Sequence, residues 1–432
     1  MADTPLSDLV GALGVVSAVR PASPGRGFDR VKMFTAVAGG QHGHAGESVT
    51  GTGRVLDDER LAELIAVAEA AERYAGSFPA ADTITAPLAG LPGRALDVTH
   101  IPRCSAAEYA HPDCRHVPFD EGAPIRWIRG VDMSDGEPAW VPAVMACYGL
   151  RPEPAERFVF QISTGHAIHF DPVRALAGGL LEVIERDAVA LVWTQRLPLP
   201  PLAPEAHTER VRYLLASAER RFLTTHLFDA TTDLGVPTVY LLQRAPYDAR
   251  TANLVAACAA ATLGEAAEKA LIEAVTVRSG FHDGHDGHDG GAGDADAIPR
   301  DITSVLDATR YMARPERAAA FAFLTDGLGD RAPADRARPL PTDPADPAAT
   351  LAVLLDRLAE AGMRAYAVDR TPAELRAAGL TKVSVIVPDL QPLSLHPRAQ
   401  FRAHPRLRDA PPRMGFPAYP EEEQNPWPQP FA

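Results

Sequence analysis

The stretch Gly178–Trp193 reads GGLLEVIERDAVALVW, and its composition decides how the rest of the chain is interpreted. Placed on a helix, its apolar side chains fall on every side, which is typical of a helix inside a protein. Four charged residues nevertheless stand in its middle: Glu182, Glu185, Arg186 and Asp187. Unpaired carboxylates in such surroundings would cost several kcal/mol each. We therefore expect these acids to have a partner that compensates their burial.

The composition excludes several classes of protein. The chain has 432 residues, with 42 Lys plus Arg against 56 Asp plus Glu, and its formal net charge is −14. This charge disfavours a nucleic-acid-binding protein, which usually presents a basic face. No apolar run is long enough for a membrane span, and Asp3 and Asp8 stand where a secretory signal would be basic. Four cysteines without CxxC spacing favour reduced thiols. We expect a cytoplasmic protein that binds neither nucleic acid nor membrane.

The pattern E-x-x-E-R occurs twice, first at Glu69 and Glu72 and again at Glu182 and Glu185. Residues three apart on a helix project from neighbouring points of one face, so each pair can offer two carboxylates to a single ion. Such pairs are most often a solvated face, but the apolar surroundings of the second pair weaken that interpretation. Mg²⁺ takes oxygen ligands and normally accompanies phosphate. The two pairs therefore indicate a carboxylate-lined magnesium site.

Hydrophobic patterning predicts the elements around these acids. The first fifty residues are rich in glycine and predict loops, and a helix is predicted from Asp57 to about Tyr74. Its apolar stripe, with which Glu72 is aligned, comprises Leu61, Leu64, Ile65 and Ala68. Strands are predicted at FVFQIS and VPTVYLLQRA, and a helix at Leu263–Arg278. The His-Asp-Gly-rich insert at residues 282–297 is expected to be a disordered loop.

The C-terminal part of the chain predicts an α/β layer followed by a tail. LLDRLAEAG, RAYAVDRT, PAELRAAG and TKVSVIVPDL alternate as helix, strand, helix and strand, the pattern of a βαβ unit. The last residues, PPRMGFPAYPEEEQNPWPQPFA, contain too much proline for a regular element and predict an extended tail.

Four of these stretches resemble, in order along the chain, the signature segments of the YcaO superfamily. ISTGHAIHFDPVRALAGGLLEVIERD is similar to its Ser-Thr-Gly turn and glutamate helix, AVAEAAERY to its upstream glutamate helix, KALIEAVTVR to its downstream helix, and NPWPQPFA to its proline-rich tail. The resemblance implies an α+β fold of mixed helices and strands around an unusual site for ATP and Mg²⁺. It also implies three parts: an N-terminal segment 1–45, a catalytic domain 46–410 and a proline-rich tail 411–432. No G-x-x-x-x-G-K-[ST] loop occurs in the chain, so any nucleotide is held without a P-loop.

The resemblance assigns roles to individual residues. The implied metal ligands are Glu69, Glu72, Glu182, Glu185 and Glu273. The implied phosphate or nucleotide contacts are Ser163, Thr164, Arg196 and Lys269. Arg196 and the tail residues Pro428 and Pro430 are the implied catalytic group. Without the resemblance, Lys269 and Glu273 would be interpreted as an exposed i, i+4 ion pair.

Three positions depart from the family pattern. Gly51–Gly53 stand where a glycine-lysine-glycine stretch is typical, so a phosphate-reaching lysine is absent unless Arg54 substitutes. His169 stands where the Ser-Thr-Gly turn usually runs on to another glycine, and it could narrow the nucleotide pocket. Ala432 ends the tail where one register would require proline. These departures argue against full ATP-dependent activity.

Within the family, a PxPxP tail marks azoline-forming cyclodehydratases that act on ribosomally made precursor peptides. In the implied reaction a Cys, Ser or Thr side chain attacks the preceding amide, ATP phosphorylates the amide oxygen, and phosphate leaves to give a thiazoline or oxazoline. Thioamide- or amidine-forming chemistry and a degenerate scaffold subunit stay open as alternatives. No stretch resembles a fused leader-binding domain, so a separate leader-binding partner is expected. A flavin-dependent dehydrogenase and a homodimer are further partners left open.

Overall fold

The computed structural model describes residues 6–38, 49–76, 82–283, 302, 305–394 and 396–431. Ala432 and the predicted insert beyond residue 283 lie outside these ranges. The helices are α1 (Glu59–Gly76), α2 (Ala106–Ala110), α3 (Ala143–Ala146), α4 (Pro172–Thr194), α5 (Glu209–Glu219), α6 (Leu263–Asp283), α7 (Val305–Ala313), α8 (Ala322–Thr325), α9 (Pro347–Glu360), α10 (Ala373–Ala377) and α11 (Arg406–Arg413). None of these described helices has the length and hydrophobicity that a membrane crossing requires.

The strands are β1 (Val16–Ala22), β2 (Val31–Ala38), β3 (Thr50–Leu56), β4 (Thr83–Ala86), β5 (Ile125–Asp132), β6 (Pro138–Pro142), β7 (His166–His169), β8 (Thr224–Asp229), β9 (Thr238–Arg244), β10 (Asn253–Ala259), β11 (Tyr366–Asp369) and β12 (Thr381–Ile386). They form three sheets with the orders β1-β2-β3, β10-β9-β8 and β4-β5-β11-β12-β7, and β6 pairs with β5. Neighbouring strands run antiparallel in each sheet. Helices and sheets are thus mixed, which confirms the predicted α+β class.

The prediction of loops in the first fifty residues was wrong. β2 pairs with β1 on one side and with β3 on the other in one sheet, and α1 packs across it. The glycines of β3 serve close packing and not turns, because a Cβ on Gly53 would lie 1.7 Å from the carbonyl oxygen of Ala62. This sheet contains residues from both sides of the boundary expected at residue 45, while the three-part division itself stays a prediction.

Helix α1 buries a different face from the predicted one. Ala62, Ala66 and Ala70 are fully buried, whereas Leu61 and Ile65 are 40% and 37% exposed. β3 approaches so closely through its glycines that only alanine side chains fit between the strand and the helix. The predicted stripe is therefore wrong for Leu61 and Ile65, whereas Leu64 and Ala68 are partly buried against the core.

The central position of helix α4 explains why it is apolar on most sides. Asp171 caps its N-terminus by accepting a hydrogen bond from the amide of Val173 at 2.8 Å. The first half of the helix packs against β12 and α9, and Leu180 belongs to the apolar cluster that the three elements share. The second half, which contains Trp193, packs against β8–β10 and the C-terminal tail. A helix enclosed on these sides needs apolar residues around most of its circumference.

The predicted alternation of α9, β11, α10 and β12 is confirmed, but the βαβ topology is not. β11 and β12 are antiparallel neighbours. Their connection contains only the five-residue helix α10, and a parallel crossover needs a dozen or more residues. The strand at VPTVYLLQRA and the helix from Leu263 are also confirmed, as β9 and α6.

Two further local predictions were wrong. FVFQIS is irregular, and the strand β7 follows the Ser-Thr-Gly turn instead of preceding it. Phe158 and Phe160 pack into two different apolar clusters, so their alternation reflects burial without strand pairing. Pro411 and Pro412 belong to α11, because the fixed φ of proline suits a helix and the short helix loses only their two hydrogen bonds.

Candidate functional site

Three helices bring the five predicted glutamates into one region. α1 carries Glu69 and Glu72, α4 carries Glu182 and Glu185, and α6 carries Glu273. After burial, the charge of Glu182 is the main reason that the pKa of Glu72 is raised. The charge of Glu273 likewise adds to the effect of burial in raising the pKa of Glu185. The sequence therefore identified a set of acids that the fold places within electrostatic range of one another.

Three of these glutamates each accept a hydrogen bond from a backbone amide of a neighbouring element. The pairs are Glu69 with Thr52 (2.9 Å), Glu182 with Gly165 (3.1 Å) and Glu185 with Ala259 (2.8 Å). Each bond uses one carboxylate oxygen and fixes the direction of the side chain. The second oxygen of each group lies beside an arginine, Arg73 for Glu69 and Arg186 for Glu182 and Glu185.

The Gly51–Gly53 stretch has a structural explanation. Its glycines let β3 lie against α1, which brings the amide of Thr52 to Glu69. The next residue, Arg54, reaches Glu273, with 3.3 Å between its Nη2 and Oε1 of the glutamate. β3 therefore places the positive charge of Arg54 beside Glu273. Arg54 is the residue considered above as a substitute for the missing lysine.

Arg186 compensates two of the acids on its own helix. Its guanidinium nitrogens lie 3.3 Å from Glu182 Oε1 and 3.4 Å from Glu185 Oε1. The guanidinium also stacks over the ring of Phe431, 4.5 Å from its centre. No role was expected for Arg186, although an arginine directly follows the second glutamate in both copies of E-x-x-E-R, as Arg73 and as Arg186.

The carboxylates are enclosed by protein and still reach solvent, as side chains in a cleft do. The exposed fraction is 26% for the side chain of Glu182 and 13% for that of Glu185. Burial raises the pKa of Glu72 to about 8 and that of Glu185 to about 7, and it also raises the pKa of Glu182. A nearby cation would favour the charged carboxylates and reverse these shifts.

The donor chemistry of this site fits Mg²⁺, which prefers carboxylate oxygens. Within the part of the chain that the structure describes, no three His, Cys, Asp or Glu side chains are arranged to hold a metal ion. The backbone amides and Arg186 occupy several of the carboxylate oxygens. The assignment of these glutamates as metal ligands stays a prediction.

The other predicted site residues have mixed positions. Ser163 and Thr164 directly precede Gly165, whose amide contacts Glu182, so they lie beside the glutamates. Lys269 pairs with Glu265 at 2.8 Å on an exposed face and not with Glu273. Arg196 donates to the carbonyl oxygen of Glu423 and stacks 5.0 Å over Tyr419. The described contacts of Arg196 are therefore with tail residues that lie before Pro426.

The proline-rich tail is docked along α4. Pro428 and Pro430 are buried, and Phe431 is only 1% exposed. The indole nitrogen of Trp193 donates to the carbonyl oxygen of Trp427 at 3.0 Å. Since Phe431 reaches Arg186, the tail ends against the arginine that binds two of the glutamates.

Several buried polar residues near the site carried no sequence signal. Lys382 on β12 is fully buried, with its Nζ 2.5 Å from Nδ1 of His166. Burial lowers the pKa of Lys382 to about 7, and the charge of Glu72 opposes this shift. The thiol of Cys258 lies 3.5 Å from Oε2 of Glu273. These residues come from different elements, so spacing along the chain could not identify them.

Asp187 shares a helix face with the apolar residues Ile184 and Leu191, which predicts a structural, hydrogen-bonded acid, and the structure agrees. It is fully buried and accepts a hydrogen bond from the amide of Gln391 at 2.9 Å. It also pairs with Arg406 at 2.8 Å. Its charge is therefore compensated within the core and points away from the glutamate cluster.

Comparisons with known proteins agree with this geometry. The family sequence model described as "YcaO cyclodehydratase, ATP-ad Mg2+-binding" matches residues 53–391. A protein of Rhizobium leguminosarum bv. trifolii, named "Uncharacterized protein in tfuA 3'region", is 27% identical over 235 residues, which are 51% of this chain and 53% of that protein.

Two solved structures share the fold at low sequence identity. A heterocyclase in complex with substrate and cofactor has a TM-score of 0.71 and 20% identity, covering 100% of this chain and 57% of the heterocyclase. YcaO from Methanopyrus kandleri, bound with AMPPCP and Mg²⁺, has a TM-score of 0.61 and 20% identity, covering 87% and 86% of the two chains. The chain spans a little over half the length of the Rhizobium relative and of the heterocyclase. Because the family model matches most of its length, the chain belongs to the YcaO family.

Proposed function

We propose that the chain is an ATP-dependent cyclodehydratase that converts Cys, Ser or Thr residues of a ribosomally made precursor peptide to thiazolines or oxazolines. The observation that carries this proposal is the meeting of glutamates from α1, α4 and α6 beside Arg186, with the proline-rich tail docked against the same arginine. Membership of a family described as binding ATP and Mg²⁺ supports it, as does the fold shared with a heterocyclase.

In the proposed site, residues of three helices and one strand have different roles. Glu69, Glu72, Glu182, Glu185 and Glu273 would hold Mg²⁺. Arg54 and Arg186 already neutralise the carboxylates they contact, and they would stabilise charge on the phosphates. Bound ATP with Mg²⁺ would supply the phosphoryl group that turns the amide oxygen into a leaving group.

The tail would shape the peptide side of the site. Pro428 and Pro430 are buried beside α4, and a proline-stiffened segment loses little entropy on docking. Its contact with Arg186 would exclude water from one side of the glutamates. Ser163 and Thr164 would offer hydroxyl groups next to Glu182, and Arg196 would act through its contacts with the segment before the tail's end. Lys269 would have to leave Glu265 to reach a nucleotide.

The partners are part of the proposal. A separate leader-binding protein would deliver the precursor and raise its effective concentration at the site. A flavin-dependent dehydrogenase would act on the product, and a homodimer is compatible with the proposal. The cysteines of the described residues are free thiols, which supports a reaction in the cytoplasm.

The test combines the purified chain, ATP, Mg²⁺, and the precursor and leader-binding protein encoded beside its gene. We expect precursor-stimulated ATP hydrolysis and loss of one water mass for each ring. Glu182→Gln and Glu185→Gln should each lower the rate on the order of 100-fold, because each removes a charge from the site. Glu209→Gln is the matched control, since this glutamate is exposed at the start of α5.

The outcomes separate the candidate functions. Normal turnover by either site variant would contradict the proposed role of the glutamates. ATP hydrolysis that yields a thioamide with added sulfide, or an amidine with an amine, would favour the alternative chemistries. Absence of any ATP hydrolysis with every partner present would favour a scaffold subunit.

A further inference from the structure

A cavity whose lining includes residues of α9 and α11 contains four arginines among its nine lining residues. It has a volume of about 390 Å³, and its charged lining residues are Arg336, Arg338, Arg357, Arg413, Asp233 and Glu360. The lining thus carries a formal surplus of two positive charges, in a chain whose net charge is −14. A concave basic surface on an acidic protein concentrates anions.

One wall of the cavity is rigid. Arg357 is 6% exposed and donates to the carbonyl oxygens of Gly235, Arg338 and Pro339 at 3.0, 2.8 and 3.2 Å. Burial lowers the pKa of Arg357, and the neighbouring charge of Arg338 lowers it further. The cavity is therefore held open by a fixed guanidinium and has a positive potential.

Arg336 adds charge to the wall of the cavity. Its Nε donates to the carbonyl oxygen of Thr231 at 3.1 Å and its Nη1 to that of Met414 at 3.3 Å. Its Nη2 has no hydrogen-bond partner among the described residues and is enclosed by protein. The guanidinium of Arg336 therefore acts on the cavity through its charge.

The two acids of the cavity form only long or exposed ion pairs with its arginines. Asp233 is bound more closely by Arg406, with 2.6 Å between Oδ1 and Nη2, and Arg406 is shared with Asp187. Arg413 is 3.5 Å from Asp233 and its side chain is 56% exposed. Arg338 contacts Glu360 at 3.3 Å, but both side chains are more than half exposed, and exposed ion pairs are weak.

We propose that this cavity binds a phosphate group, as free inorganic phosphate or as the phosphate of a small ester. The surplus of two positive charges matches a phosphate dianion, and planar guanidinium groups suit its oxygens. The exposed guanidinium groups of Arg338 and Arg413 supply the donors. The inference does not depend on the reaction proposed above, since it uses none of the five glutamates.

The site connects to the glutamate helix through buried ion pairs. Arg406 bridges Asp233, which lines the cavity, and Asp187 of α4. Asp187 follows Arg186, which contacts two of the glutamates. An anion that draws Arg413 away from Asp233 would therefore change the charge balance around Asp187.

The test is calorimetric titration of the full chain with inorganic phosphate and, separately, with AMP, both without Mg²⁺ and at constant ionic strength. We expect Arg413→Met and Arg336→Met to weaken phosphate binding on the order of 10-fold or more. Arg413 is exposed, so its variant should fold even if that of Arg336 does not. Arg408→Met is the control, because Arg408 is 76% exposed and contacts only Asp409 among the pairs described for it.

Glu185→Gln should leave phosphate binding unchanged, which separates this cavity from the glutamate site. Weakening of phosphate alone by Arg413→Met assigns free phosphate, and weakening of both ligands assigns phosphate esters as well. Either result supports the proposal. Phosphate binding that is absent, or that is equal in the parent, Arg413→Met and Arg408→Met proteins, would overturn it.

Discussion

Glu185 shows how the surroundings of a single residue set its chemistry. It has a hydrogen bond from the amide of Ala259 and an ion pair with Arg186, yet burial still raises its pKa from 4.5 to about 7. The favourable contacts therefore do not balance the loss of water around the carboxylate. A side chain in this state gains from a cation that the protein itself does not supply.

This shift predicts a pH dependence of stability in buffer without Mg²⁺. Between pH 4.5 and about 7 the folded protein keeps a proton on Glu185 that the unfolded chain has lost. The resulting stabilisation is fully present below the unfolded pKa and is lost as the pH rises through the folded pKa. The Glu185→Gln variant should not lose this stabilisation. Once the pH has risen across that window, its unfolding free energy should exceed that of the parent by on the order of 3 kcal/mol.

Urea unfolding of both proteins over this pH range measures the effect. Added Mg²⁺ should stabilise the parent at neutral pH and leave Glu185→Gln nearly unchanged, because binding to the folded state shifts the equilibrium. Parallel stability profiles for the two proteins would show that Glu185 titrates normally.

The contact between α1 and β3 depends on glycine and alanine together. Gly53→Ala would place a Cβ 1.7 Å from the carbonyl oxygen of Ala62, so the strand must move away from the helix. We expect a loss of about 3 kcal/mol or more in unfolding free energy. Weaker nucleotide binding should follow, because β3 also positions Glu69 and Arg54.

The matched control for that variant is Gly280→Ala on α6, where no heavy atom lies within 4 Å of the added Cβ. This change should stabilise the helix by up to about 1 kcal/mol. Thermal unfolding and nucleotide titration of both variants provide the comparison. Equal stability of the Gly53 and Gly280 variants would contradict the close packing.

The tail is an element without regular structure that is positioned by α4 and by contacts of Trp427 with Gln400 and Arg317. Deleting residues 426–432 should reduce ring formation on the order of 100-fold, through misplacement of the reacting groups, while nucleotide affinity changes little. The physical reason is that Phe431 contacts Arg186 rather than the glutamates directly. Mass spectrometry of the precursor and nucleotide titration measure the two effects.

Pro426→Ala is the control for the deletion, since Pro426 is exposed. It should retain both activities. Equal loss of nucleotide affinity and ring formation on deletion would mean that the tail builds the nucleotide site. Unchanged ring formation would mean that the tail is inert.

The buried ion pairs of Arg406 join distant parts of the whole molecule. Arg406 on α11 is 3% exposed and contacts both Asp187 of α4 and Asp233 of the segment after β8. Arg406→Met would leave two buried carboxylates without their partner. We expect it to lower the unfolding free energy by roughly 3–5 kcal/mol, as measured by urea unfolding.

Arg408→Met tests the same helix at an exposed position and should change stability by less than about 0.5 kcal/mol. A comparable small effect of Arg406→Met would show that the buried pairs contribute little. The combined variant Arg406→Met with Asp187→Asn should recover part of the loss, because it removes one of the uncompensated charges.

The sequence by itself determined the features that are local or periodic. The repeated E-x-x-E-R, the apolar circumference of α4 and the proline content of the tail each indicated a specific structure or role. Helical spacing places Glu182 and Glu185 on one face whatever surrounds the helix. The acid Asp187 could be recognised for the same reason, because its apolar neighbours recur with the helix period.

Only the tertiary structure decided which surfaces meet. The buried face of α1 depends on the glycines of β3, and the antiparallel pairing of β11 with β12 depends on the length of their connection. Arg54 reaches Glu273, and Phe431 reaches Arg186, across large separations in sequence. Contacts of this kind leave no periodic trace in the chain, because each partner's position is set by packing between elements and not by its own neighbours.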